Sequence, residues 1–372
     1  MKDTKLVYKK VLLINEVGDE FTALSTEEFK PITGELIFNT AMTGFAEILT
    51  DPSYINQIIN FTSSHIGNYG VTKSDFESSK PKIQAAIGNS FSYKPSSWRS
   101  EMSITDWLKE YEIPFTGGFD SRMITTYLRN SGSSMFALGV DVKKHDLTNL
   151  LKKAKNIIGD DSAITAGKNS KENNDTKGKV GILDLGSKNS IEKVLEDNNF
   201  EAILLNSETE PNKILNYDLK GLIISNGPGD PRSLLKIIRN IENLIGKIPI
   251  FGICLGHQIL SLACGLIVEK MKFGHHGSNH PVKVEGIDNA IITSQNHGFS
   301  VSDFSDSLKH DKFGHISSYA VNLYDNTNAG ISIWSSNAYS VQFHPEAGPG
   351  TNDGLKVFEP FFKMIKGTYA EE

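Results

Sequence analysis

Cys254 stands in the run Gly252-Ile253-Cys254-Leu255-Gly256-His257, between an apolar stretch that reads as a buried strand and a helical stretch behind it. Glycines two positions before and two after it relieve the crowding of a sharp strand-to-helix turn. Such an elbow sets a sulfur at a helix N-terminus, where the dipole favours the reactive thiolate. The backbone N–H groups that follow, starting with Leu255, are then free to bind an oxyanion. A cysteine nucleophile needs a base, and the base needs an orienting group. Ser340-Val341-Gln342-Phe343 reads as a strand that ends at His344-Pro345-Glu346. Glu346 is close enough in sequence to hold one imidazole nitrogen of His344 and leave the other to take a thiol proton. Singly, these residues read equally as a core cysteine and an exposed loop; together they make a coherent Cys–His–Glu arrangement. A third segment, Ser225-Asn226-Gly227-Pro228-Gly229-Asp230-Pro231, follows another apolar strand. Its free N–H groups suit either a second oxyanion contact or an amino-acid substrate. It lacks the GxxxxGK[ST] pattern of a phosphate loop.

The remaining candidates read as structural. Cys264 lies late in an amphipathic helix and reads as core. Its separation of ten positions from Cys254 suits neither a redox pair nor a zinc site. His275, His276 and His280 have spacings found in metal sites, but a hydrogen-bonding loop is the favoured reading and no metal is expected. His257 follows the elbow, points along the helix and lines the pocket without acting as base. His297 reads as positional.

The elements that must hold these residues alternate along the second half. Lys179–Leu183, Glu201–Leu205, Gly221–Ser225 and Ile248–Ile253 read as strands. Helices are expected near Ser190–Asp197, over Ser233–Ile245 and over Leu255–Cys264, the last closed by Gly265 as a left-handed cap. Continuous apolar strands alternating with helices imply an α/β fold, with a mostly parallel sheet covered on both faces. Ligands in such sheets sit at the carboxyl ends of the strands, where the three segments fall. Pro360 should kink or restart the C-terminal helix. The first half reads as a smaller α+β domain. Its strands are expected at Leu6–Tyr8, Lys10–Ile14, Glu35–Phe38 and Gln57–Phe61, and its helices at Ser103–Tyr111, Ser121–Asn130 and Leu147–Ile157. Residues 167–178 hold almost no apolar side chain and read as a polar linker. The expected domains are therefore 1–166 and 179–372.

Composition narrows the class further. The chain has 372 residues, 38% hydrophobic and 22% charged, with two cysteines and a net charge of −6. That excludes disorder and a disulfide-stapled miniprotein, and argues against a nucleic-acid binder. No apolar run approaches the ~18 residues of a membrane span. Val11-Leu12-Leu13-Ile14 is too short for a signal-peptide core, so a cytoplasmic location is expected.

Gly252-Ile253-Cys254-Leu255-Gly256-His257-Gln258, Asn226-Gly227-Pro228-Gly229 and His344-Pro345-Glu346 resemble the class I, triad-type glutamine amidotransferases. Five further runs are similar to the small subunit of carbamoyl-phosphate synthetase: Met271–Val282, Ser294–Phe299, Phe38–Phe45, Glu47–Tyr54 and His65–Gly70. Where that family usually has Lys-x-Asn-Ile, this chain has Lys188-Asn189-Ser190-Ile191. The resemblance implies that Cys254 attacks the side-chain amide of glutamine to give a γ-glutamyl thioester. His344 would carry the proton and Glu346 orient it. Leu255 and Gly227 would hold the oxyanion. Ser53, Gly227, Gly229, Leu255, Gln258, Asn296, Gly298 and Phe299 would hold glutamine, Ser53 from the first domain. It also implies a large-subunit partner, docked through the first domain. That subunit would use ATP and Mg to make carbamoyl phosphate from bicarbonate, so no cofactor is expected in this chain. A glutaminase subunit of another synthetase, or an inactive regulatory subunit, are the alternatives.

Overall fold

The computed structural model describes residues 7–168, 178–302, 304 and 306–367. Two compact units divide the chain, Met1–Ile157 and Ile158–Glu372. The division falls before the polar stretch because Ala163 is fully buried in the second unit's core, beside Leu183 and Leu185. Residues 169–177 of the expected linker lie outside the described residues.

The first unit contains β1 (Lys9–Asn15), β2 (Glu20–Ser25), β3 (Ile32–Asn39), α1 (Phe45–Thr50), β4 (Gln57–Phe61), β5 (His65–Ile66), β6 (Ala85–Ile87) and β7 (Ser90–Phe91). These are followed by α2 (Ile104–Glu110), β8 (Phe115–Thr116), α3 (Ser121–Ser131), β9 (Ser134–Val140) and α4 (Lys144–Leu151). Seven strands form one sheet in the order β2-β1-β9-β3-β4-β6-β8. Ser103 and Asp120 cap α2 and α3 by accepting from Asp106 N and Met123 N, satisfying donors that a helix start leaves open. Phe45 meets Phe61 edge-on at 5.3 Å in the core under α1. Two expectations shift. Val7 and Tyr8 are exposed and outside any strand, and pairing begins at Lys9 opposite Ser25; Leu6 is outside the described residues. The helix expected over Leu147–Ile157 runs instead over Lys144–Leu151. Leu147 and Leu151 bury its inner face, whereas Lys152, Lys153 and Lys155 offer nothing to bury.

The second unit begins with α5 (Ala163–Ala166), β10 (Val180–Asp184), α6 (Asn189–Asp197), β11 (Ala202–Asn206), α7 (Pro211–Asn216), β12 (Gly221–Ile224) and α8 (Leu235–Glu242). It continues with β13 (Ile250–Ile253), α9 (Leu255–Ala263), β14 (Val268–Val284), β15 (Ile291–Val301), β16 (Ser307–His310), β17 (Gly314–Asn322), β18 (Asn328–Ile333), β19 (Ala338–Val341) and α10 (Glu359–Lys366). The sheet order is β11-β10-β12-β13-β19-β18-β17-β14-β15, with β16 on β17. From β11 to β19 every neighbour is parallel, and those four-to-five-residue strands are apolar runs between helices. Beyond β19 every pairing is antiparallel, so the parallel core continues into a meander. The histidine segment expected as a loop lies on β14, paired with β15 through two register shifts. Gly265 takes φ +77 behind α9, the left-handed cap expected there. Pro360 lies in the first turn of α10, after a 3-10 segment over Asn352–Phe358, and so restarts the helix. Among the described residues no helix is long and apolar enough to cross a membrane.

Two cores cover the sheet. On one face α8 and α9 pack Ile237, Ile241, Ile259 and Leu260 against β12 and β13. On the other, Phe251 stacks on Tyr339 at 4.5 Å and meets Phe358 edge-on at 5.2 Å. The Tyr339 hydroxyl donates to the Val357 carbonyl at 2.7 Å, tying the chain's end to β19. Helix α9 lies so close to β12 that a Cβ on Gly256 would sit 2.1 Å from the Ile224 carbonyl oxygen. Gly256→Ala must therefore push α9 off the sheet. The expected loss is about 3 kcal/mol, at the upper end for overpacking, read as a lowered urea midpoint.

Candidate active site

Cys254 joins β13 to α9 with φ 55° and ψ −100°, a conformation rare for a residue with a side chain. Its N–H donates to the Val341 carbonyl of β19 at 2.9 Å, and its carbonyl accepts from Gln258 N at 3.2 Å. A Cβ on Gly252 would lie 2.7 Å from the Gly256 carbonyl oxygen, so the two glycines make room for each other as well as for the turn. The thiol is buried, 3.4 Å from the Asn296 carbonyl.

His344 leaves the end of β19 and is pinned by its N–H to the Ser294 carbonyl of β15 at 2.8 Å. Its Nδ1 donates to Glu346 Oε1 at 2.7 Å. That leaves the buried Nε2 as the ring nitrogen open to Cys254, with which the imidazole interacts. Burial works against a charged imidazole, but the Glu346 carboxylate and Cys254 outweigh it, and the His344 pKa rises to about 10. Burial likewise works against the Glu346 carboxylate. Lys188 and His344 outweigh it, and its pKa falls to about 2.

Lys188 is the residue that sequence reasoning did not assign. It is 1% exposed, and its ammonium sits 3.0 Å from Glu346 Oε1 while donating to the Ala347 carbonyl. Asp184 shapes the loop that carries it, accepting from Gly186 N and Ser187 N at 3.0 and 2.8 Å. Asn226 joins this loop to the next. Its side chain accepts from Lys188 N at 3.2 Å and donates to Gly186 O at 3.0 Å. The available signal was position, since Lys188 follows a buried strand at the sheet's carboxyl edge.

The other expected residues divide. Gly227 approaches both the Lys188 loop and Leu255: a Cβ there would be 2.3 Å from Leu185 O and 2.9 Å from Leu255 Cδ2. Gly229 has φ +92 and abuts the Asp160 carbonyl. Gln258 donates to Phe299 O at 2.8 Å and to Gln342 Oε1 at 3.1 Å, so it braces the strand after Gly298. Asn296 pairs with His276 Nδ1 at 2.9 Å. His297 Nδ1 donates to Phe299 O at 2.8 Å, a positional role as expected. Ser53 belongs to the first unit, in a 3-10 turn where its N–H donates to Asp51 Oδ1 at 2.8 Å. His257 is fully buried, bonded to Ser340 Oγ at 2.9 Å, and burial lowers its pKa to about 3. His275 bonds Asp325 at 2.9 Å and Gln295 at 3.2 Å.

Nucleophile elbow, oriented imidazole and glycine loop thus meet at the carboxyl edge of the parallel strands. The glutamine amidotransferase class-I family matches residues 181–364, and the CPSase domain of the carbamoyl-phosphate synthase small chain matches residues 13–138. The second unit therefore carries a class-I glutamine amidotransferase domain. A carbamoyl phosphate synthase small chain of Bacillus caldolyticus is 38% identical over 95% of this chain and 96% of its own length. The pyrimidine-specific small chain of Bacillus subtilis is 37% identical over 96% of this chain and 97% of its own. A Listeria monocytogenes small chain is 36% identical over 96% and 97%. The chain belongs to the carbamoyl-phosphate synthase small-chain family.

Removing Lys188 would leave a buried carboxylate with His344 as its one cationic neighbour named above. Lys188→Met should lower stability by about 3–5 kcal/mol at neutral pH. Glu346 has a folded pKa below the ordinary carboxylate value of 4.5, so its ionised form stabilises the fold above that value. That contribution fades as pH falls towards 2. The gap between Lys188→Met and the parent chain should therefore narrow on acidification, measured by urea denaturation at neutral pH and at about pH 4.

Proposed function

We propose that this chain is the glutamine-hydrolysing subunit of carbamoyl-phosphate synthase, with Cys254, His344 and Glu346 as its catalytic triad. The observation that carries this reading is the buried Glu346–His344 pair whose free Nε2 adjoins Cys254, within a chain of this family. His344 Nε2 holds the proton taken from Cys254, and the Cys254 sulfur attacks the side-chain amide carbon of glutamine. The N–H groups of Leu255 and Gly227 stabilise the tetrahedral oxyanion. The C–N bond then breaks, His344 gives its proton to the leaving nitrogen, and ammonia departs from a γ-glutamyl thioester. Water, deprotonated by His344, cleaves the thioester and releases glutamate and the thiol. Glu346 keeps Nδ1 protonated throughout and stabilises the imidazolium formed at each transfer.

Ammonia then passes to a large subunit, which uses ATP and Mg to make carbamoyl phosphate from bicarbonate. The match over residues 13–138 favours this synthase over others that use the same amidotransferase domain. The pyrimidine-specific name of one relative supports a role in pyrimidine biosynthesis, and arginine biosynthesis draws on the same product. In this reading the chain works in the cytoplasm as part of a heteromeric complex.

Cys254→Ala, assembled with the large subunit, should lose glutamine-dependent carbamoyl phosphate synthesis and keep synthesis from added ammonia. Persistence of the glutamine-dependent rate would sink the mechanism. A second test uses pH. His344 is raised to about 10, so its imidazolium persists through neutral pH and is lost only as pH rises through that value. Glu346→Gln removes the main group raising it and leaves Lys188 opposing protonation. The alkaline limb of kcat/KM for glutamine hydrolysis should move down by at least about one pH unit.

A further inference from the structure

A run of polar groups crosses the antiparallel half of the sheet, from the β17–β18 turn through β14 to β15. It starts at Asp325, on that turn. Thr327 N and Thr327 Oγ1 both donate to Asp325 Oδ1, at 3.1 and 2.8 Å. The second oxygen, Oδ2, faces His275 Nε2 on β14 at 2.9 Å. Burial raises the Asp325 pKa, but its His275 and Thr327 contacts outweigh it and set it at about 2, so the group is a carboxylate that only accepts. His275 therefore donates from Nε2. Its Nδ1 is an acceptor, because it faces Asn322 Nδ2 at 3.3 Å while the Asn322 oxygen is committed to Tyr324 N at 2.9 Å. His297 lies directly opposite His275 on β15 and donates from Nδ1 to Phe299 O at 2.8 Å. Burial and the neighbouring His275 hold its pKa well below the usual imidazole range, so the ring is neutral and Nε2 accepts. One end of the Gln295 side-chain amide lies between the two acceptors, 3.2 Å from His275 Nδ1 and 2.8 Å from His297 Nε2. The O and N of an amide are told apart by the partners they face, and only an NH2 has a hydrogen for each ring. The other end of that amide meets the Thr293 hydroxyl at 3.2 Å, which serves as donor or acceptor.

We propose that Asp325 is a positioning residue for glutamine hydrolysis: by fixing the tautomer of His275 it orients Gln295 and His297, and so holds the Asn296–Phe299 segment beside Cys254. This rests on the reading that Cys254 is the nucleophile and that Asn296, Gly298 and Phe299 border the glutamine site. The Asn296 carbonyl lies 3.4 Å from the Cys254 sulfur, and Gln258 of α9 holds the Phe299 carbonyl at 2.8 Å. The segment is thus tied to the elbow helix on one side and to the Asp325 chain on the other.

Asp325→Asn separates tautomer control from packing. Its oxygen must stay with Thr327 N, which only donates, so its NH2 turns to His275. His275 then accepts at Nε2 and carries its hydrogen on Nδ1, against those of Asn322 and Gln295. Gln295 turns over, and His297 loses the donor at Nε2. Asp325→Ala instead admits water, which serves either tautomer. In complexes with the large subunit, KM for glutamine should rise about tenfold in Asp325→Asn and about threefold in Asp325→Ala, with kcat less affected and ammonia-dependent synthesis unchanged. A purely structural turn residue gives the reverse order, because the isosteric Asn disturbs packing less than Ala, or leaves KM at the parent value in the folded fraction. Either result overturns the proposal. His275→Phe keeps the bulk of the ring and removes both nitrogens. Added to it, Asp325→Asn should change KM no further, whereas multiplied effects overturn the route through His275. If Asp325→Asn does not assemble, Asp325→Ala decides alone, and a parent-like KM overturns the proposal. A parent complex that neither hydrolyses glutamine nor forms a thioester on Cys254 overturns the underlying reading as well. A parent complex that hydrolyses glutamine while both Asp325 variants keep its KM refutes only the role of Asp325.

Discussion

Glu346 is a carboxylate without solvent, and the amidotransferase unit is arranged around that fact. An ionised carboxylate is tolerable inside a protein only when paired and hydrogen-bonded. Here the partners come from opposite flanks of the parallel strands. Lys188 follows β10, while His344 follows β19 across β12 and β13. The ion chain thus fastens the carboxyl ends of strands that are not neighbours. It also sets the electrostatics of the site: Lys188 helps keep Glu346 ionised, and the Glu346 carboxylate raises the pKa of His344 against the opposing charge of Lys188. Stability and basicity depend on the same three groups.

The elbow imposes the second constraint. Cys254 holds its φ of 55° only because β19 takes its N–H and α9 takes its carbonyl. A strained residue persists where the surroundings over-determine it. Gly252 and Gly256 are the spaces that permit this: backbone of Gly256 fills the first, and the Ile224 carbonyl of β12 fills the second. The parallel core is therefore the support of Cys254 as much as a hydrophobic scaffold.

Much of this was legible before the fold was known, for reasons that lie in particular residues. Apolar runs such as Val180–Leu183 and Ile250–Ile253 read as strands because both faces of a central parallel strand are buried. The glycines around Cys254 read as a turn because few other residues permit one. The antiparallel half did not read in this way. Ser294-Gln295-Asn296-His297 is polar yet buried, and it satisfies its polar groups through His275, His276 and the Phe299 carbonyl. Period-two alternation disappears when the buried face is itself polar, so the histidine segment of β14 reads as a loop and β15 gives no strand signal. Lys188 escaped for a related reason: a lysine in a loop reads as solvated unless its buried counter-ion, far away in sequence, is known.

The same logic explains why the second unit starts earlier than composition suggests. By composition, Asp160, Asp161 and Ser162 fall at the end of the first domain, before the polar linker. In the fold the Asp160 carbonyl accepts from Asp230 N at 2.8 Å and Ser233 Oγ at 3.0 Å, and Gly159 N donates to Asp230 Oδ2 at 3.1 Å. Further on, Lys168 N donates to Asp184 Oδ2 at 2.6 Å. Asp184 also shapes the loop carrying Lys188, and Asp230 ends the loop carrying Gly227 and Gly229. The entering chain therefore braces both loops beside the triad, using backbone groups that no side-chain pattern reveals. A polar segment can be structural when its carbonyls and amides complete a buried loop, and composition records only its lack of apolar side chains. For this unit, residues 159–168 brace the loops carrying Lys188 and Gly229 through hydrogen bonds to Asp184, Asp230 and Ser233.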